Sequence, residues 1–139
     1  MTAPPYTLEE NVGFILRQVS QRHVAIFVEM MADDLTPTQF SAIVKLHQQG
    51  ACSQNRLGRL TAMDAPTIKG VIDRLTRRGL TETHPDPGDT RLLMVSLTHA
   101  GHQVAQRAIP CAQRITETTL SPLTPSQRCQ FLSLLKMLR

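Results

Sequence analysis

The residues best suited to chemistry in this chain are cations and small polar groups between positions 53 and 91, and a few histidines set among apolar neighbours. From Ser53 to Arg91 there are seven cationic residues (Arg56, Arg59, Lys69, Arg74, Arg77, Arg78, Arg91) and five acidic ones (Asp64, Asp73, Glu82, Asp86, Asp89). That balance suits anion recognition only if position sorts the charges. Between 65 and 77, helical spacing puts Ile68, Val71, Ile72 and Leu75 on one face and Ala65, Pro66, Thr67, Lys69, Gly70, Asp73, Arg74 and Arg77 on the other. The small Ala65 and Gly70 permit close approach, Thr67 and Lys69 suit base edges or phosphates, and Arg74 and Arg77 suit the phosphate backbone. Further on, Asp86-Pro-Gly-Asp89-Thr-Arg91 sets a carboxylate two residues before an arginine in a turn, where Asp89 can hold and aim the Arg91 guanidinium. An oriented arginine on a thin hairpin suits a narrow minor groove of DNA. Taken singly, each feature also has a plain reading, a solvated helix face and a surface ion pair of little worth.

The histidines offer a second chemistry. His23 lies within an apolar stripe and His47 on the buried edge of a helix, and a polar group in such a place needs a partner. With Ser20 and Arg22 beside it, the His23 stripe could hold an anionic aromatic molecule; the alternative is that both histidines bond only to protein. A metal sensor built from His23, His47, His99, His102 and Cys52 is a rival, weakened because no carboxylate accompanies them. Cys52, Cys111 and Cys129 are odd in number and widely spaced, which speaks against a disulfide framework or a structural metal site and for small buried apolar residues. A thiol sensor remains the other option. No nucleophile elbow, phosphate loop or catalytic carboxylate pair is present, so an enzyme is not expected, nor is a cofactor.

The elements that must position these groups follow from periodicity and capping. With 139 residues, 41% of them hydrophobic, the chain is expected to form one compact unit or a small unit with helical extensions. No apolar run is long enough to span a membrane, and the start lacks a secretory signal, so a cytoplasmic location is expected. A first helix is predicted over Leu8 to Met31. Val12, Leu16, Val19, His23, Ile26 and Met30 form one stripe and Phe14, Val24, Val28 and Met31 another, so both faces should be covered, the second by another subunit. Thr36-Pro-Thr-Gln39 is a capping box opening a second helix to Gln49, with Phe40, Ile43, Val44 and His47 as its apolar face and Gly50 as its C-cap. Ser53 starts a short third helix, Asp64 caps the fourth and Gly79 ends it. Two strands are predicted, Leu80 to His84 and Leu92 to Leu97, joined by the polar turn. Thr98 caps a fifth helix reaching Thr119, which Pro110 is expected to kink. Thr124-Pro-Ser-Gln127 repeats the capping box before a sixth helix with Phe131, Leu134, Leu135 and Leu138 on its stripe.

Helix, short helix, tight turn, helix and hairpin in that order make a helix-turn-helix followed by a wing. The chain resembles the MarR family of bacterial winged-helix regulators. The resemblance is carried by Leu35-Thr-Pro-Thr-Gln-Phe40, by the run from Leu57 to Leu80, and by Asp86-Pro-Gly-Asp-Thr-Arg91 leading into Val95-Ser-Leu-Thr-His-Ala-Gly101. It implies a mainly α fold with a small β-hairpin wing: a winged helix-turn-helix (35–104) between N-terminal (1–34) and C-terminal (105–139) dimerisation helices. It further implies a homodimer whose first, fifth and sixth helices interlock, fourth helices in successive major grooves of an inverted repeat, and wing arginines in the flanking minor grooves. DNA contacts are then expected from Ser53, Gln54, Asn55, Ala65, Pro66, Thr67, Lys69, Gly70, Arg74, Arg77, Asp89 and Arg91. Gly88 departs from the family, many members of which carry arginine there, and this removes a second basic wing contact. The segment Gly13-Phe-Ile-Leu-Arg-Gln-Val-Ser-Gln-Arg-His23 resembles the branch that controls breakdown of nicotinic and other aromatic acids. A ligand-released repressor is expected, with Ser20, Arg22, His23 and His47 as effector-binding residues and a small aromatic acid as effector. The different class to weigh is a winged-helix module that docks on protein, for which an acid-oriented arginine at the wing tip has no use.

Overall fold

The structure, a computed structural model, describes residues 2–139. The elements are α1 (Val12–Met30), α2 (Pro37–Gln49), β1 (Cys52–Ser53), α3 (Gln54–Leu60), α4 (Ala65–Arg77), β2 (Thr81–Pro85), β3 (Leu93–Leu97), α5 (His99–Thr119) and α6 (Pro125–Lys136), with 3-10 turns at Leu8–Glu10 and Ala32–Asp34. They form two units. One joins the residues up to Met30 with Arg114–Arg139, and the other is Met31–Gln113.

In the Met31–Gln113 unit, α2 starts as its capping box dictates. Gln39 N donates to Thr36 Oγ1 and Thr36 N to Gln39 Oε1, both at 3.2 Å, with Pro37 in the first helical position. Its core face is Gln39, Ala42, Ile43 and Leu46, which corrects the expected one: Phe40, Val44 and His47 are only half-buried. Gln39 can be buried because its amide is consumed by the cap, and this turns the inward face by one residue. Asp64 N-caps α4, and Ile68, Val71, Ile72 and Leu75 are buried beneath its polar face. Gly79, at φ 75°, lets the chain leave α4 in the left-handed region.

The sheet has three antiparallel strands in the order β1-β3-β2, not the two of a simple hairpin. Cys52 and Ser53 pair with Val95 and Met94, and a strand of two residues shows no alternation from which to predict it. β2 runs one residue later than expected, with Thr81 opposite Leu97 and Pro85 opposite Leu93. Thr98 then joins the wing to α5: its hydroxyl donates to Gly79 O at 2.7 Å and accepts from Gly101 N at 3.0 Å. α5 continues unbroken past Pro110.

Gly101 marks the closest approach in this unit. A Cβ there would overlap the Leu80 carbonyl oxygen and meet Leu97 Cδ2 at 3.0 Å. Backbone cannot swing aside as a side-chain tip can. Gly101→Ala should therefore destabilise the protein by about 2–3 kcal/mol, read as a lowered urea midpoint at unchanged slope.

In the other unit, α1, the end of α5 and α6 bury Phe27, Ile115 and Leu120. Within a single chain little of α1 is covered. Phe27 is the only buried residue of α1, while Val12 is 64% and Val28 72% exposed. A unit this small has too little substance to cover two faces of a helix, and α6 adds exposed Leu132, Leu134 and Leu135, with exposed Leu138 just beyond its end.

Candidate nucleic-acid interface and ligand pocket

The polar face of α4 is built from its first turn. Asp64 accepts from Thr67 N at 2.9 Å, and the Thr67 side chain and then this backbone bond hold the Asp64 carboxyl below the usual carboxylate range. Ala65, Pro66 and Thr67 follow, all exposed. Lys69 is exposed but engaged, its Nζ 2.9 Å from Asp73 Oδ2 one turn on. An exposed pair of this kind is weak enough for a phosphate to displace. Arg74 lies back along the helix over Gly70, where a Cβ would meet its guanidinium at 3.4 Å, an ordinary van der Waals contact. Arg77 Nε donates to Asp73 O at 3.4 Å. Arg78, the next residue, is turned to another use, donating to Asp33 O at 2.6 Å, while Arg107 grips the Asp33 carboxylate at 3.0 and 3.1 Å. Asp33 has φ 59°, a left-handed conformation that these two arginines hold in place.

The wing turn is as expected and more fully specified. Asp86 Oδ2 accepts from Gly88 N at 3.0 Å and Asp89 N at 2.9 Å, which sets the turn. Asp89 then takes Arg91 by a fork, Oδ1 to Nε at 3.1 Å and Oδ2 to the terminal nitrogen at 3.2 Å, with Arg91 N also on Oδ1. The Arg91 side chain and then its backbone N–H hold the Asp89 pKa below the usual carboxylate range, keeping the carboxylate ionised. Arg91 remains 89% exposed. It also borders a cleft of about 200 Å³ with Ser53, Gln54 and Asn55, so the start of α3 and the wing arginine are neighbours. Ser53 is half-buried and its hydroxyl caps α3 by accepting from Arg56 N, which leaves Asn55 as the exposed member of that trio.

The expected ligand residues are brought together only in part. Ser20 and His23 line a pocket of about 360 Å³ with Leu16, Val19, Thr116, Thr119, Leu120, Phe131, Leu132 and Leu135. His23 Nδ1 is 2.8 Å from Thr119 Oγ1. Arg22 is not among the lining residues: its guanidinium donates to Thr119 O at 2.8 Å and Thr118 O at 3.1 Å, the carbonyls that end α5, where a cation is favoured. His47 belongs to the other unit and bonds to His102. Among the described residues no three of His, Cys, Asp or Glu gather as a metal site. Of the cysteines only Cys111 is buried as expected. Cys52 is half-buried, with burial pushing its thiol up against the opposing charge of Arg56, and Cys129 is exposed.

Comparison with known proteins places the chain among regulators. The sequence model of the MarR family matches residues 35–93. The HTH-type transcriptional repressor NicR of Pseudomonas putida is 41% identical over 133 residues, covering 95% of this chain and 84% of the relative. The crystal structure of a probable transcriptional regulator from Pseudomonas aeruginosa superposes with TM-score 0.93 at 45% identity, over 96% of this chain and 100% of that one. BpsR of Bordetella bronchiseptica, whose DNA binding is regulated by 6-hydroxynicotinic acid, gives TM-score 0.92 at 39% identity over 97% of each chain.

Proposed function

The chain belongs to the MarR family of DNA-binding transcriptional regulators, and from that premise we propose that it is a repressor which grips an inverted-repeat operator as a homodimer and releases it when a small aromatic or pyridine carboxylate binds. The observation that carries the DNA reading is the Asp89–Arg91 fork on an exposed wing beside the polar face of α4. Ser53, Gln54, Asn55, Ala65, Pro66, Thr67, Lys69, Gly70, Arg74, Arg77, Asp89 and Arg91 form the contact set, with α4 reading bases and the arginines holding phosphates. Half-site centres would lie about 10 bp apart. Its place of action is the cytoplasm, with the DNA; among the described residues no helix is long and apolar enough to cross a membrane.

The effector reading rests on the pocket at His23. Its walls are mainly apolar, and His23, Ser20, Thr116 and Thr119 supply the few polar groups that orient a ring carrying an acid. Regulation of the BpsR relative by a hydroxylated pyridine carboxylic acid supports that ligand class. α5 contributes residues to both units, so a ligand against Thr116 and Thr119 acts on the same helix that leaves the wing at Thr98.

The test is a mobility-shift titration against the DNA flanking the gene, with and without hydroxylated pyridine and benzene carboxylic acids. Wild type should be released by one of them. His23→Leu should bind DNA as before and need at least about tenfold more acid for release, the weight of one lost charge-assisted hydrogen bond. Release of His23→Leu at the wild-type concentration would remove His23 from the site, and binding that no acid affects would remove the ligand class.

A further inference from the structure

We propose that His47 and His102 form a proton-operated clasp on the DNA-reading segment, closed when the pair holds at most one extra proton and opened by a second. Their Nδ1 atoms are 2.9 Å apart, the ring centroids 5.2 Å apart and the ring planes inclined by 57°. The centroid separation exceeds the nitrogen separation by close to two ring radii, so the nitrogens face each other along the line joining the rings. A metal ion held by both lone pairs would require them to converge at an angle and would draw the centroids closer. The arrangement is that of an N–H···N hydrogen bond, in which one ring donates and the other accepts. The neutral pair satisfies it, and so does the pair with a single positive charge. A second charge sets two N–H groups against each other and breaks the contact.

The contact is exposed, and none of the described residues beside it offsets a second charge, which is left to solvent. Among the described residues no carboxylate is within ion-pair distance of either ring. On α5, His99 stands one turn before His102, and Arg107 is taken by Asp33. On α2, Lys45 lines a separate groove with Phe40 and Val44. Cys52, on the strand that follows α2, is kept as the thiol by burial.

The position of the clasp gives it consequence. His47 is in the last turn of α2, just before Gly50, and His102 is in α5 just after Thr98, so the bond joins residues 55 apart and closes α3, α4 and the wing into one loop. Histidine is the side chain that changes charge between pH 5 and 8. The effect on DNA rests on the function proposed above; the coupling of the two protons does not.

The test uses the full chain labelled with 15N, following the imidazole nitrogens from pH 8 to 4.5, and in parallel the anisotropy of a labelled operator fragment. Wild type should show two separated proton uptakes shared by the rings. His102→Asn, whose amide still meets His47 at the Nδ1 position but does not titrate, should show one. Wild-type affinity should fall about tenfold from pH 7 to pH 5, against the general tendency of added positive charge to strengthen DNA binding, and His102→Asn should not fall. Independent single-step titration of both rings in wild type would overturn the clasp. A split titration with acid-insensitive DNA binding would overturn its hold on the DNA-reading segment. Failure to bind DNA at any pH would defeat the functional reading instead, with the ring titration still deciding the clasp.

Discussion

Arg91→Ala should weaken operator binding by about 10–100-fold and lower the slope of log affinity against log salt by about one, while leaving thermal stability where it was. The argument is geometric before it is electrostatic. Arg91 is 89% exposed, so its removal opens no cavity, and among the described residues its side chain bonds to Asp89. A side chain already fixed at two of its nitrogens loses little freedom on entering a narrow groove, and this is what Asp89 contributes. Arg91→Lys should restore the charge and part of the salt slope but not the affinity, because an ammonium cannot occupy both carboxylate oxygens as a planar fork does. The pH dependence has a definite sign. The Asp89 pKa is lowered by Arg91, so the fork is fully present above the ordinary carboxylate range and is lost only as pH falls through the lowered value. Any acid weakening of DNA binding between pH 7 and 5 therefore arises elsewhere, and the His47–His102 clasp proposed above, which a second proton opens, is the place to look for it. Fluorescence anisotropy of wild type, Arg91→Ala and Arg91→Lys at several salt concentrations separates these terms. Unchanged affinity and slope in Arg91→Ala would take the wing out of the interface.

What could be read in advance was whatever neighbours in sequence decide. Thr36 and Gln39, Asp64 and Thr67, Thr98 and Gly101, and Asp89 and Arg91 are each separated by two or three residues, and in each case the hydrogen bond found is the one their spacing predicts. The same holds for the buried stripe of α4, whose regular repeat leaves no choice of face. Contacts between distant residues were not legible. β1 exists because two residues after α2 find β3 some forty positions later. His47 was seen as a polar group needing a partner, but nothing local names His102. Arg22 looked free to meet an anion because the carbonyls of Thr118 and Thr119, which claim it, lie 96 and 97 residues away. The inward face of α2 was misplaced for a related reason: Gln39 counts as polar by type, yet the cap satisfies its amide and allows it inside.

The apolar surface of α1 and α6 leads to the other large effect. Val12→Asp combined with Leu138→Asp should convert a micromolar dimer into a monomer by sedimentation and lower operator affinity by about 10²–10⁴-fold. These side chains are 64% and 74% exposed in one chain, so a charge there costs a lone subunit almost nothing, and exposed substitutions are ordinarily worth less than about 0.5 kcal/mol. Any large effect must come from a surface that covers them. A second copy is the occupant expected of this family, and a charge buried in its interface without a partner is strongly unfavourable. The DNA effect exceeds any single contact because two linked reading units benefit from each other's attachment, and a monomer forfeits that effective concentration. The wild-type melting temperature should also rise with protein concentration, as it must when folding and association are linked, and the double variant should lose that dependence. A wild type that sediments as a folded monomer at micromolar concentration, or a double variant that stays dimeric, would remove α1 and α6 from the interface and leave their apolar faces without the role argued for them.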